Sequence, residues 1–324
     1  MASLFDVIKG HDREMGLLRR AVAGGRVASA YLFSGPEGVG KRLAALAFAQ
    51  ALNCPHAMDG GPCGRCPSCD AFDGGTPVNL VETAPEKGVL KIDRVRAVAE
   101  GLKYRAEAGR TVAIVDGAEK MTAEAANAFL KTLEEPPAGS VIVLVAAHGA
   151  HMLPTVLSRC QRVNFGPLPV EVLAGVVREI KEVGEEEAVE LARLGCGSVA
   201  RALEFADARL HEKRKAVIDA VSELDGRRWP ELLSLAERLA KDESLEAALE
   251  MLKGWYRDGV LAAEGFAAEG LAPHSGGLAP PRGPTARLLD AYDAVEEALR
   301  AVRPPRYGNR QLAVETMLMR LAGR

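Results

Sequence analysis

Apolar and polar residues follow two different periods along the first half of the chain. Short apolar runs typical of buried strands occur at 31–34, 79–82, 111–116, 140–146 and 162–165. Between them, apolar residues recur at helical spacing, which predicts helices over 5–23, 44–52, 93–102 and 122–135 and a short helical turn at 154–159. Asp93 and Thr122 are predicted as N-caps. Strands that alternate with helices in this way predict a parallel sheet with helices on both faces.

The strand pattern stops after residue 165, and the remainder of the chain is patterned as helix. Helices are predicted over 170–183, 185–194 and 198–205, and later apolar stripes predict a helical bundle. A stretch rich in Gly, Pro and Ala at 265–284 is predicted to be a mobile loop. We therefore predict three domains: an α/β domain over 1–165, a small helical lid over 166–206 and an all-α domain over 207–324.

Composition narrows the class of protein without identifying it. The chain has 324 residues with 26% charged and 48% hydrophobic residues, which is ordinary for a globular protein of two or three domains. Its net charge of −3 gives no general reason to bind DNA tightly, so a nucleic-acid role would need a local patch or a partner. No apolar run is long enough to span a bilayer and no leader pattern is present, so we expect a cytoplasmic protein without a membrane partner.

A glycine-rich segment follows the first predicted strand. Residues 35–42, G-P-E-G-V-G-K-R, match the phosphate-binding pattern G-x-x-x-x-G-K-[ST] except at Arg42. Gly35, Gly38 and Gly40 would let backbone N–H groups face phosphate oxygens, and Lys41 would add positive charge. The hydroxyl that would bind Mg²⁺ is missing, and Arg42 brings a cation to that position. The loop is therefore a degenerate nucleotide site that could hold ATP without hydrolysing it.

The second part of a nucleotide-hydrolysing site is also altered. Asp116, at the end of a strand, is the candidate metal-associated carboxylate, although it could equally cap the next turn. Gly117 follows where a water-activating Glu would stand, and Glu119 is expected to point elsewhere. Positions 42 and 117 would bind the metal ion and activate water in a working site. Because both are altered, hydrolysis by this chain is not expected.

Four cysteines lie close together in the sequence. Cys54, Cys63, Cys66 and Cys69 form two overlapping C-x-x-C pairs with a fourth thiol nearby. Four thiolates close a tetrahedral shell, so we predict a structural Zn²⁺ site within a small knob at 54–69. The alternative is four reduced cysteines with no metal.

Two further stretches carry a family resemblance. Residues 127–137, N-A-F-L-K-T-L-E-E-P-P, and 157–160, L-S-R-C, together with the cysteine module, resemble the AAA+ subunits of the bacterial DNA polymerase III clamp loader. The resemblance extends from about residue 5 to 205 and more weakly to the final helix. It implies an AAA+ P-loop domain with a zinc knob, a helical lid and a helical collar.

The resemblance also implies roles for single residues. Arg159 would be an arginine finger that acts in trans on the ATP of a neighbouring subunit, although it could be a surface arginine. Arg201 matches a second sensor that touches nucleotide, or is a helix-surface arginine. Active motor subunits carry a polar first sensor, where this chain has Ala146 and Ala147. These losses beside an intact trans arginine resemble the delta-prime, or stator, type.

The function that this resemblance implies is clamp loading in DNA replication. The expected partners are gamma/tau and delta subunits in a hetero-pentamer, with the sliding clamp and primed DNA reached through the complex. An ATPase motor of the gamma/tau type is the main alternative, but it would carry Ser or Thr at position 42 and Glu at 117. A small subunit of the archaeal or eukaryotic loader is disfavoured by the cysteine module. A scaffold unrelated to replication would not explain the motifs together.

Overall fold

The secondary structure alternates between strands and helices up to Asn164, and the described residues beyond it form helices but no strand. The computed structural model describes residues 4–77, 79–86, 88–104, 109–147, 149, 152–206, 216–223, 229–242, 245–266, 279–302 and 308–323. The strands are β1 (Ala30–Ser34), β2 (Leu80–Thr83), β3 (Thr111–Val115), β4 (Ser140–Ala146) and β5 (Gln161–Asn164). The helices of this part are α1 (Leu4–Val7), α2 (Asp12–Ala23), α3 (Lys41–Asn53), α4 (Pro67–Asp73), α5 (Ile92–Gly101), α6 (Ala123–Glu134) and α7 (Pro154–Leu157), with a 3₁₀ turn at Ala118–Lys120.

The five strands form one parallel sheet in the order β2-β3-β4-β1-β5, as the pattern predicts. β1, β3 and β4 are buried along their whole length, which fits their unbroken apolar sequences. Successive residues point to opposite faces of the sheet. Phe33 and Val143 join the core beneath α3, whereas Leu32 and Leu144 join the core beneath α5 and α6.

The parallel arrangement brings several strand ends to one edge. The carboxyl ends of β1, β3, β4 and β5 carry, respectively, the glycine-rich loop, Asp116, Ala147 and Phe165. Open parallel sheets bind ligands at this edge. The fold therefore places the candidate nucleotide residues of 35–42 and 116–117 on the same side of the sheet.

Two details of the predicted helices are wrong. The helix expected over 5–23 is divided into α1 and α2, because Gly10 adopts a left-handed φ of 75° and packs against Leu168. Helix α5 has Lys91 as its N-cap, and Asp93 lies in its first turn, where a carboxylate still favours the positive end of the helix dipole. The N-cap prediction for Thr122 is confirmed, since its side chain accepts a hydrogen bond from the Ala125 N–H.

The chain forms two compact units. One contains residues 1–172 with 197–199, and the other contains 173–196 with 200–324. The predicted three-domain division at 165 and 206 stays a prediction. Of the predicted 265–284 loop, residues 267–278 lie outside the described part of the chain.

The later part of the chain is helical in its described residues, and its helices from Trp229 onwards supply most of the core of the second unit. The later helices are α8 (Val170–Lys181), whose first residues belong to the first unit, α9 (Glu185–Gly195) and α10 (Val199–Phe205), followed by Trp229–Lys241, Leu245–Ala263, Thr285–Val302 and Arg310–Leu321. Leu252, Val295 and Leu318 are completely or almost completely buried in one shared apolar cluster. The predicted helical bundle is therefore present. Within the described residues, no helix combines the length and apolar character needed to cross a bilayer.

Candidate functional site

The glycine-rich loop depends on its glycines for conformation and for space. Gly35, Gly38 and Gly40 have φ values of 147°, 75° and 102°, in the region that L side chains rarely adopt. A Cβ at Gly35 would lie 2.0 Å from the carbonyl oxygen of Phe165. Gly40 is the N-cap of α3, so the loop leads directly into a helix N-terminus. This backbone is the part of a phosphate-binding loop that the sequence predicts.

The lysine of the loop is bonded to the loop itself. Lys41 is almost completely buried, and its Nζ donates to the carbonyl oxygens of Gly35 and Pro36, each at 2.6 Å. Burial lowers the pKa of Lys41, an effect opposed by the carboxylates of Glu37, Glu119 and Asp116. The ammonium group therefore already has acceptors, and a phosphate would have to replace them.

Two contacts fasten the loop from outside. The Nε2 atom of His11 lies 2.8 Å from the Val39 carbonyl oxygen, and this nitrogen must carry a proton because a carbonyl only accepts. The backbone N–H of Val199 donates to the Gly38 carbonyl oxygen at 2.9 Å. His11 is buried and Val199 is partly buried, so the loop is held at Gly38 and Val39 by residues distant in sequence.

Arg42 is turned towards a neighbouring strand. Its Nη2 lies 3.1 Å from Oε2 of Glu82 on β2. Glu82 thus compensates the charge of Arg42. The sequence motif did not indicate Glu82 as the partner of Arg42, because the two residues are 40 positions apart.

The end of β3 is shaped by Gly117. The Asp116 carboxylate accepts the Gly117 N–H at 3.0 Å, so it caps the turn that follows the strand. Gly117 has a left-handed φ of 63°, and a Cβ there would lie 2.7 Å from Cγ of Pro85. Oε2 of Glu119 is buried and has no hydrogen-bond partner among the described residues. The expectation that Glu119 points elsewhere than a water-activating glutamate would stays a prediction, and its charge opposes the fall in the pKa of Lys41 that burial causes.

At the end of β4, the two described residues Ala146 and Ala147 offer no polar side chain to a nucleotide. Ala146 is buried opposite Ser34 of β1, and Ala147 follows it. The polar pair at this edge belongs instead to β1 and β5, where the Ser34 hydroxyl donates to Oδ1 of Asn164 at 2.6 Å. Among the described residues, these polar groups therefore lie on β1 and β5 and not at Ala146 or Ala147, where the sequence predicts the first sensor.

The four clustered cysteines meet in space. Their Sγ atoms lie within 4.8 Å of one another, with Cys54 and Cys66 separated by 3.9 Å and Cys63 and Cys69 by 4.0 Å. Four sulfurs about 2.3 Å from a tetrahedral ion would be about 3.8 Å apart. The geometry and the all-sulfur donor set fit Zn²⁺.

The protein backbone already supports this cysteine cluster. The N–H groups of Cys63 and Cys69 donate to the sulfurs of Cys54 and Cys66. The backbone N–H of Arg65 lowers the pKa of Cys63 to about 7, whereas burial raises that of Cys69 to about 12. A buried thiol of this kind loses its proton readily only beside a cation, and a metal ion supplies one.

Arg159 lies at the surface just after α7. Its Nη2 is 2.5 Å from Oε1 of Glu134, and its Nη1 donates to the Thr155 carbonyl oxygen at 2.8 Å and to Oγ of Ser158 at 3.2 Å. The side chain remains 34% exposed. A guanidinium has five N–H donors, so at least two of them have no partner among the described residues.

Arg201 lies on α10 in the second unit. Its guanidinium carbon is 5.9 Å from the centre of the Phe205 ring, one turn further along the same helix. The prediction that Arg201 touches a nucleotide stays a prediction.

Comparison with known proteins shows to which family the chain belongs. The family model described as "DNA polymerase III, delta subunit" matches residues 10–169. The delta' subunit of Bacillus subtilis is 31% identical over 254 residues, which is 76% of each chain. The chain belongs to the DNA polymerase III clamp-loader subunits.

Other relatives in this family include both subunit types. The delta' subunit of Pseudomonas aeruginosa is 34% identical over 208 residues, which is 62% of this chain and 63% of that protein. The tau subunit of B. subtilis is 33% identical over 190 residues, 57% of this chain but only 33% of the relative. The chain thus spans from one third to just under two thirds of these two relatives.

Three partners of the candidate residues were missed by sequence reasoning. His11, Glu82 and Glu134 contact Val39, Arg42 and Arg159 over separations of 28, 40 and 25 residues. No local sequence motif indicates that His11, Glu82 or Glu134 makes these contacts. Only the sheet topology, which brings strand and helix ends together, could have indicated them.

Restoring the missing glutamate should damage the strand end and leave it inactive. We expect Gly117→Glu to lower the free energy of unfolding by about 1–3 kcal/mol, because it combines left-handed strain with a clash against Pro85. Gly75→Glu is the matched control, since Gly75 has a φ of 73° with nothing within 4 Å. Chemical denaturation measures both. Equal destabilisation by the two variants would contradict the role of Pro85.

Proposed function

We propose that this chain is the delta-prime, or stator, subunit of a DNA polymerase III clamp loader, which helps load the sliding clamp onto primed DNA. The observation that carries the proposal is Gly117: the position of the water-activating carboxylate holds a glycine in a left-handed conformation against Pro85. Because a glutamate there would be strained by the left-handed φ and would meet the Pro85 side chain, the chain's own nucleotide site is unsuited to hydrolysis. Any ATP held by residues 35–41 would remain intact.

The proposed chemical contribution is made to another subunit. Arg159 is partly exposed and keeps N–H donors that have no partner among the described residues, which supports a role as an arginine finger towards a neighbour's ATP. A guanidinium stabilises the negative charge that develops on the transferred phosphoryl group. The neighbours would be gamma/tau and delta subunits in a hetero-pentamer located in the cytoplasm, as the family resemblance suggests.

The tau relatives support a second candidate, an ATPase motor of the gamma/tau type. Tau of B. subtilis shares 33% identity over the matched region. This role is disfavoured by three residues at positions where a motor subunit needs contacts to metal, water or phosphate: Arg42, Gly117 and Ala146. We therefore favour the stator.

The cysteine cluster is proposed to hold a structural Zn²⁺. The four sulfurs leave no position for water, so the ion would fix the short loop from Cys54 to Cys69 and take no part in ATP chemistry. Gly60 supports this packing, since a Cβ there would lie 1.9 Å from the Arg19 carbonyl oxygen.

Removal of the finger should slow ATP hydrolysis by the assembled complex. In Arg159→Ala the site served by this chain should lose about 10³-fold in rate, so the steady-state rate falls by at least that site's share. The measurement is clamp- and DNA-stimulated ATPase of the reconstituted complex, with gel filtration to confirm assembly. Arg162→Ala, an exposed arginine nearby, is the control. An unchanged ATPase rate in Arg159→Ala would contradict the proposal that Arg159 acts on the ATP of a neighbouring subunit.

Metal analysis tests the zinc proposal independently. The purified chain should contain about one Zn²⁺, and Cys69→Ser should release it and lower the melting temperature, because three thiolates leave the shell open. Cys160→Ser, outside the cluster, should leave both values unchanged. A native chain without metal contradicts the proposal.

A further inference from the structure

The ion pair between Arg159 and Glu134 joins the two stretches that carry the family resemblance. Glu134 is the last residue of α6, and Arg159 follows α7. Their side chains meet at 2.5 Å across 25 residues of sequence. Arg159 is the one described partner of the Glu134 carboxylate, so this contact is specific to the pair.

Glu134 is carried by a rigid element. Phe129 and Leu133 on α6 are almost completely buried beneath the sheet, which fixes the helix. The helix ends at Glu134, where the N–H of Glu135 bonds to the Lys131 carbonyl oxygen and two prolines follow. The backbone of Glu134 is therefore held at a defined place relative to β4 and α7.

The contact orients the guanidinium more than it stabilises the fold. Both side chains are partly exposed, at 34% and 49%, and ion pairs of this kind add little to stability. An arginine has many rotamers, however, and loses that freedom when it engages a phosphate. Glu134 at one edge and the Thr155 carbonyl oxygen at another remove this freedom beforehand. At least two N–H groups of Arg159 have no partner in the described part of the chain and could meet a ligand.

We propose that Glu134 is the positioning residue of Arg159, holding its guanidinium ready for the phosphate of a neighbouring subunit's ATP. The proposal rests on the proposed trans role of Arg159. Glu134 touches neither ATP nor the reacting atoms, and it acts through the arginine alone. Preorganisation of this kind favours the transition state, so it should appear in kcat and not in KM.

The test uses the reconstituted complex and its clamp- and DNA-stimulated ATPase. Glu134→Ala should lower kcat at the served site about fivefold with KM unchanged, whereas Glu134→Gln, which keeps an oxygen acceptor, should retain most of the rate. Glu135→Ala is the matched control, because the neighbouring glutamate makes no side-chain contact with Arg159 in the described structure. It should behave as the native chain.

A double-mutant cycle separates positioning from general structure. Adding Glu134→Ala to Arg159→Ala should cause no further loss, since the residue that Glu134 positions is already absent. A further loss, or a faster rate in Glu134→Ala alone, would overturn the inference. If Arg159→Ala slows the complex while Glu134→Ala does not, the positioning role fails and the finger stands. If Arg159→Ala has no effect, both fail.

Discussion

The close approach of Gly35 to the Phe165 backbone ties the phosphate loop to the end of β5. Because β5 lies beside β1 in the parallel sheet, this contact closes the loop over the carboxyl edge. His11 fastens the loop at Val39, and Lys41 turns inwards to the loop's own carbonyls. The glycine-rich loop of residues 35–42 is thus held in its conformation by contacts within the chain itself.

The proposed loss of hydrolytic function at this edge would take two physical forms. At position 42 the change is in a side chain, and the arginine is compensated by Glu82. At position 117 the change extends to the backbone, where the left-handed φ of Gly117 and the nearby Pro85 side chain disfavour a carboxylate side chain. A side-chain change is easily reversed by substitution, whereas a backbone change requires the turn to move. The second form gives the stronger reason to propose that this site does not hydrolyse ATP.

The sequence predicted the sheet, its flanking helices and the cysteine cluster because each depends on local periodicity or spacing. The same reasoning failed at Gly10, where a contact with Leu168 interrupts the first helix, and at Asp93, where Lys91 is the cap. It could not find Glu134 as the partner of Arg159, since that contact arises from where α6 ends relative to α7. Motifs identified the groups that carry charge, and topology decided which partners hold them.

The central claim is that this chain lends an arginine to ATP hydrolysis but does not hydrolyse ATP itself. It is tested most directly by measuring ATP turnover of the isolated chain with and without Mg²⁺, alongside Lys41→Ala. The account predicts no turnover above background in either protein, whether or not ATP binds. Magnesium-dependent turnover by the native chain that disappears in Lys41→Ala would contradict it.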